Sequence, residues 1–297
     1  MRGGADTIAE HAPDHDVRSA AAPVSVIAPR LLLSTAPFYR VPLRDALRIV
    51  SGAGYRAVEV MVTNDPTTQD PHLLRQAAED YGVTVDVIHA PFLLITRRVW
   101  GTDPLGKIYR SVQLAEEVGA EVVVVHPPYR WQGRYRRWIE ENLAEFSART
   151  GVTVAVENMF PVKLPGERGL SFHAGQELEE LDRNPYMVLD TSHAAVAGLD
   201  IGGLFRRYHD KVLHVHLSNN AGKGWDSHLP VYDENGVLPI GAFLDELSSS
   251  RYPGSISLEL DLRPWQKDEK LLTEVLVRNR EFVESRLPLE HPAPAAG

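Results

Sequence analysis

Short β-branched apolar runs alternate with stretches of helical amphipathic spacing from about residue 30 to residue 286, and this alternation decides the fold class. Strands are predicted over 31–34, 57–62, 83–89, 121–126, 152–157, 186–190, 211–217 and 255–260. Helices are predicted over 42–53, 71–81, 104–118, 135–150, 173–181, 204–209, 241–249 and 267–286, with Gly119 and Gly151 as C-terminal stops. Runs such as VVVV and VTVAV are apolar on both faces, as a parallel sheet covered by helices requires. Eight strand and helix pairs predict an α/β chain closed into a single (β/α)8 barrel, with 29–287 as its catalytic domain. A doubly wound open sheet is the structural rival, but it usually has fewer strands. The flanks 1–28 and 288–297 lack periodicity and are read as disordered tails.

Polar residues interrupt the apolar runs at one end of the strands. In KVLHVHLSNNAGKGWDSH, residues 211–228, His214 and His216 share one face of a strand, and Asp226 and His228 follow in its loop. His89 ends the third strand in VDVIHAPF, His126 the fourth in VVVVHPP, and Glu157 the fifth in VAVEN. Asp190 ends the sixth in MVLDTSH with His193 three residues on, His216 closes the seventh, and Glu259 lies near the end of the eighth in ISLEL. One charged strand end is commonplace as a solvated terminus. Six in succession, on the face where barrel enzymes build their sites, point to a functional cluster.

Composition narrows the chemistry. The 297 residues are 43% apolar and 24% charged, ordinary for a globular protein. Cysteine is absent, so a metal must be held by His, Asp and Glu; imidazole with carboxylate suits Zn²⁺ or Mn²⁺ first, with Mg²⁺ or Co²⁺ as further candidates. The net charge of −9 argues against a nucleic-acid-coated surface, although a local basic patch could still bind phosphate. No apolar run approaches the ~18 residues of a membrane span, and the first 28 residues lack the apolar segment of a signal peptide. A cytoplasmic protein is expected.

VIHAPF, VVVHPP, VAVEN, VLDTSHAAVAG, HVHLSNN, WDSHLPV and LEL resemble the strand-end motifs of the xylose-isomerase-like TIM barrel superfamily, over about residues 30–286. That superfamily includes sugar and sugar-phosphate isomerases and epimerases and the endonuclease-IV-type apurinic endonucleases. The resemblance to its ketose epimerases implies one divalent ion held by Glu157, Asp190, His216 and Glu259. It also implies that Glu157 and Glu259 remove and return a proton on opposite sides of a substrate carbon, with His193 against a substrate oxygen. The physical logic is that a metal on vicinal oxygens stabilises the enediolate formed by deprotonation beside a carbonyl. The endonuclease branch, with three zinc ions and nine ligands, would use His89, His126, Glu157, Asp190, His193, His216, Asp226, His228 and Glu259. The chain departs from that branch: it reads HAPFL where a serine and tyrosine follow the first histidine, and DTSH where a cysteine precedes the histidine that corresponds to His193. A dehydratase or lyase on the same scaffold, or a noncatalytic sugar binder, completes the alternatives, with the two glutamates counting against the binder.

The loops after His89 and His126 bear on the substrate. One carries Arg97, Arg98 and Trp100, and the other Tyr129, Arg130, Trp131, Arg134, Tyr135, Arg136, Arg137 and Trp138. Arginine pairs with phosphate or carboxylate and aromatic rings stack on sugars, so a small anionic or polyhydroxylated substrate is expected, with Arg130 and Lys223 as substrate-binding candidates. The alternative is a solvated arginine face with Glu140 and Glu141 as partners, and a mobile Gly222–Lys223–Gly224 loop.

Overall fold

A strand with no polar face needs apolar cover on both sides, and each of the eight apolar runs finds it. The computed structural model describes residues 28–161, 172–173 and 177–290. Strands β1 (Arg30–Ser34), β2 (Ala57–Met61), β3 (Thr84–His89), β4 (Val122–Val125), β5 (Thr153–Glu157), β6 (Met187–Asp190), β7 (Val212–Leu217) and β8 (Ser255–Leu258) form a closed barrel in chain order. Every pairing is parallel, and β1 meets β8 with Leu31 opposite Ile256. The predicted (β/α)8 TIM barrel is therefore the fold. The predicted tails fall outside the described residues, apart from residue 28 and residues 288–290.

The core divides in two, as alternation along each strand demands. Leu32, Ala57, Val87, Val122, Val124, Ala155 and Val188 fill the barrel interior. Their neighbours in sequence, such as Leu33, Val58, Ile88, Val123, Val154 and Leu189, pack outward against the helices. Interior positions nearer the C-terminal ends change character, from Val87 to His89, Val124 to His126, Ala155 to Glu157 and Val188 to Asp190. The apolar plug thus stops where the polar cluster begins.

Helices α1 (Leu43–Gly52), α2 (Pro71–Tyr81), α3 (Pro104–Val118), α4 (Gly133–Thr150), α5 (Leu178–Leu181), α6 (Thr191–Ala197), α7 (Ile201–Tyr208), α8 (Ile240–Ser249) and α9 (Glu269–Glu284) surround the sheet. Local chemistry sets their ends. Asp70 and Asp103 cap α2 and α3 ahead of a proline at the first turn, and Gly119, at φ +82°, closes α3 in a conformation that penalises a side chain. Two expectations shift. The helix predicted over 173–181 is Leu178–Leu181, with His173 in a bridge to Tyr129, and α7 starts at Ile201 because Asp200 caps it through the Gly203 amide. α6, not separated out by sequence patterning, follows β6 without a loop. None of the helices among the described residues is long and apolar enough to cross a membrane.

The loop after β3 is held from below. Lys107, buried on α3, donates from Nζ to the carbonyls of Pro91, Thr96 (3.2 Å) and Arg97 (3.0 Å). Three carbonyl acceptors satisfy an ammonium that burial would otherwise penalise, and they fix the chain just beyond His89.

Candidate metal centre

The site is assembled from the strand ends. His89 and Glu157 are the last residues of β3 and β5, and His126 and Glu259 follow β4 and β8 by one residue. Asp190 ends β6 and also caps α6: its Oδ1 accepts from the His193 amide at 2.7 Å, which sets His193 on the first turn. Asn158 ties this region to β5, donating from Nδ2 to the Asp190 carbonyl and accepting at Oδ1 from its amide. The loop after β7 is folded back by paired backbone bonds between Asn219 and Leu229, at 2.9 and 2.8 Å, and this returns Asp226 and His228 to the mouth. His228 adopts a left-handed φ of +39°, a strained geometry of the kind that gathers at functional sites.

One nitrogen collects the central group. His216 Nδ1 lies 2.9 Å from Glu157 Oε1, 3.2 Å from Glu259 Oε2 and 3.7 Å from Asp190 Oδ2. On one side, His126 Nε2 is 3.3 Å and His89 Nε2 4.0 Å from Glu157 Oε2. On the other, Asp226 Oδ2 lies 2.6 Å from His228 Nε2 and 3.3 Å from His193 Nε2. Ligand-type atoms fall into four adjoining groups among the described residues: His89, His126 and Glu157; Glu157, Asp190 and His216; Asp190, His193 and His228; and Glu59, His214 and His216. All nine candidates therefore belong to one continuous cluster of side chains.

The protons in this cluster are constrained by backbone carbonyls, which can only accept. Nδ1 of His89, His193 and His228 faces the carbonyls of Ala90 (3.0 Å), Asn158 (2.9 Å) and Glu259 (3.1 Å), so each Nδ1 carries a hydrogen. Whenever such a ring is neutral, its Nε2 turns a lone pair toward carboxylate oxygen. Glu157 Oε2, Asp190 Oδ2 and Glu259 Oε2 are buried and make no hydrogen bond. Lone pairs facing lone pairs in a buried space call for positive charge between them, and the imidazole and carboxylate donors fit a divalent metal.

The electrostatics agree. Burial opposes ionisation of Glu157, but His216, His193 and His126 outweigh it and hold the carboxyl well below the usual range. Burial would lower His216, yet Glu59, Glu259 and Glu157 raise it well above the ordinary imidazole value. His228, also opposed by burial, is raised by Asp226 to about 9. Burial pushes His126 down to about 3 and keeps it neutral. Burial also raises Glu259, with help from Glu59 and Glu157. Below a raised pKa the imidazole holds a proton, so a metal that ligates His216 or His228 must displace one. Zn²⁺ loading is expected to release protons, giving calorimetric heats that scale with buffer ionisation enthalpy. Heats independent of buffer would contradict this.

The rim is less polar than its sequence suggests. Tyr135 and Trp138 are buried core residues, Tyr135 donating to the His126 carbonyl at 2.8 Å. Arg130 pairs with Glu180 at 3.4 Å, and Lys223 is exposed with its Nζ over the Trp225 ring. Neither reaches the central group. Two residues absent from the candidate set join the site. His173 stacks on Tyr129 and sits edge-on to His126, and Glu59 of β2 is fully buried against His214 and His216. Glu59 did leave a sequence signal, as the acid at the centre of the apolar run AVEVM.

A closed parallel barrel with His, Asp and Glu side chains gathered at the C-terminal ends of its strands defines a (β/α)8 protein whose clustered side chains could hold a metal ion. The chain belongs to the xylose isomerase-like TIM barrel family, whose model matches residues 47–277. It is 34% identical over 276 residues to an uncharacterized protein of Mycobacterium leprae, covering 84% of this chain and 96% of that one. An uncharacterized protein of Mycobacterium tuberculosis is 36% identical over 269 residues, covering 82% and 94%. Among solved structures, a D-tagatose 3-epimerase-like protein superposes with TM-score 0.61 at 22% identity, covering 86% of this chain and 98% of that one. A family 2 AP endonuclease from Brucella melitensis does so with TM-score 0.59 at 17% identity, covering 81% and 99%. D-allulose 3-epimerase from Methylomonas sp., in complex with D-allulose, gives 0.59 at 16%, covering 87% and 97%. At these identities the structural likeness speaks for the fold.

Proposed function

We propose that this chain is a divalent-metal-dependent isomerase or epimerase of a sugar, sugar phosphate or related polyol, with Glu157 and Glu259 as its proton-transfer pair. The observation that carries the reading is the convergence of Glu157, Asp190 and Glu259 on Nδ1 of His216. A Zn²⁺ or Mn²⁺ ion held by these four residues would supply Lewis-acid stabilisation of negative charge on vicinal substrate oxygens. Glu157 and Glu259 come from β5 and β8, so they approach one substrate from different sides of the mouth. Their environments push their pKa values apart: Glu157 is held ionised, as a base must be, and Glu259 is raised toward the protonated form of an acid. His193 stands beside them to contact a substrate oxygen, and Arg130 and Lys223 are the rim residues proposed to meet an anionic group. The epimerases of D-allulose and 3-keto-D-glucoside on this fold are in keeping with a sugar substrate. The cysteine-free composition is in keeping with a cytoplasmic enzyme.

A second reading has its own observation. The two groups that flank the centre, His89 with His126 and His193 with Asp226 and His228, supply ligands for two more cations, joined through Glu157 and Asp190. That is the arrangement a three-zinc phosphodiester hydrolase would need. Elemental analysis of the purified protein, paired with incubation of a ketose and ketose-phosphate panel in D₂O, separates the two. One ion per chain with deuterium entering a substrate C–H bond is expected. Three tightly held zinc ions with cleavage of abasic DNA, and no exchange on any sugar, would replace the first reading by the second.

A further inference from the structure

Beneath the metal-ligand layer lies a second polar layer that neither reaction reading uses. Glu59 Oε2 sits 2.9 Å from His214 Nε2 and 3.1 Å from His216 Nε2, and His214 Nδ1 is 2.6 Å from Ser255 Oγ. Glu59, His214 and His216 have no exposed surface. Strands β2 and β7 are not neighbours in the barrel, so the bonds from Glu59 cross its interior. The surrounding interior residues are Leu32, Val87, Val124, Ala155 and Val188, among which an apolar side chain would cost nothing in desolvation. The backbone is also shaped for these groups. Of the eight strand pairings, the two with a register shift are β2 with β3 at Val58/Glu59, and β6 with β7 at Met187/Val188, where the partner steps from Val212 to His214. Such irregularities re-aim side chains.

Resting on the metal-site reading above, we propose that Glu59 is the positioning residue of the centre: it fixes the ring and the tautomer of His216. A carboxylate oxygen shared by two ring nitrogens accepts from both, so His214 and His216 each carry hydrogen on Nε2. The Ser255 hydroxyl then donates to His214 Nδ1, which locks the orientation of the first ring and, through Glu59, of the second. In the neutral ring His216 Nδ1 is then the lone pair, turned toward Glu157, Asp190 and Glu259 and open to a proton or a metal ion. A metal-ligating imidazole whose other nitrogen donates to a carboxylate is both oriented and made more basic, and loss of such a partner typically costs about 10 to 100-fold in metal affinity.

The test compares the wild type with Glu59→Gln, an isosteric change, using Zn²⁺ and Mn²⁺ as probes against a chromogenic chelator. Glu59→Gln is expected to weaken binding by about 10 to 100-fold with the circular dichroism spectrum unchanged. Ring ¹⁵N spectra at a pH where His216 is neutral should show hydrogen on Nε2 in the wild type and a mixed population in the variant. Ser255→Ala, which leaves Glu59 on His216, should cost only a few-fold. Wild-type affinity in Glu59→Gln, or hydrogen on Nδ1 in place of Nε2 when His216 of the metal-free wild type is neutral, would overturn the inference. The wild-type ring spectrum decides it even if the variant does not fold. Failure of the wild type to bind either ion would instead remove the metal-site reading, while the ring spectra would still report on Glu59.

Discussion

Asp190→Asn is expected to empty the central site while leaving the barrel intact. Oδ1 of Asp190 caps α6 through the His193 amide, and an asparagine oxygen in the same place can still accept that bond. Oδ2 is buried, makes no hydrogen bond and lies 3.7 Å from His216 Nδ1. An amide nitrogen there turns hydrogen instead of a lone pair toward the ligand space and removes one negative charge. Metal affinity should fall by more than about 100-fold, beyond the range seen when a partner one layer out is lost. The thermal midpoint of the metal-free protein should fall modestly, because the buried His193 and His216 lose a negative neighbour that favours their charged forms. Dialysis followed by elemental analysis reads the first quantity and calorimetry the second. Full metal occupancy in the variant would remove Asp190 from the site.

Glu259→Gln carries the second large effect. The side chain keeps its size and can still lie beside His216, but it can neither take nor return a proton. General acid–base catalysis contributes typically about 10² to 10⁴-fold, so exchange of a substrate C–H with solvent deuterium should fall by that factor. Because Glu259 Oε2 is also 3.2 Å from His216 Nδ1, the nitrogen proposed to hold the metal, the comparison must be made at saturating metal, with occupancy measured in the same samples. Wild-type exchange at full occupancy would take Glu259 out of the proton-transfer pair and leave it a ligand only.

The strand ends show how far the chain could be read residue by residue. His89, Glu157 and Asp190 each end an apolar run whose alternation places them on the interior face, so closure of the barrel suffices to bring them together. Reading the loops was harder. Arg130 falls where sequence places it, but Glu180 holds it, and Tyr135 and Trp138 turn into the core because the helix they belong to starts at Gly133 and puts them on its buried face. The bridge between Tyr129 and His173 joins two loops that nothing local pairs.

The sequence by itself determined the barrel and the ionisable residues that gather at its mouth, because hydrophobic period and strand-end position are local properties that a closed parallel sheet converts directly into convergence. Only the tertiary structure decided which proton each imidazole carries and what holds it there. Glu59 meets His214 and His216 across separations of 155 and 157 residues, and the carbonyls of Asn158 and Glu259 orient rings that reach them from α6 and from the loop after β7. A tautomer is set by whatever faces the far nitrogen, and that partner exists only once the eight strands have closed.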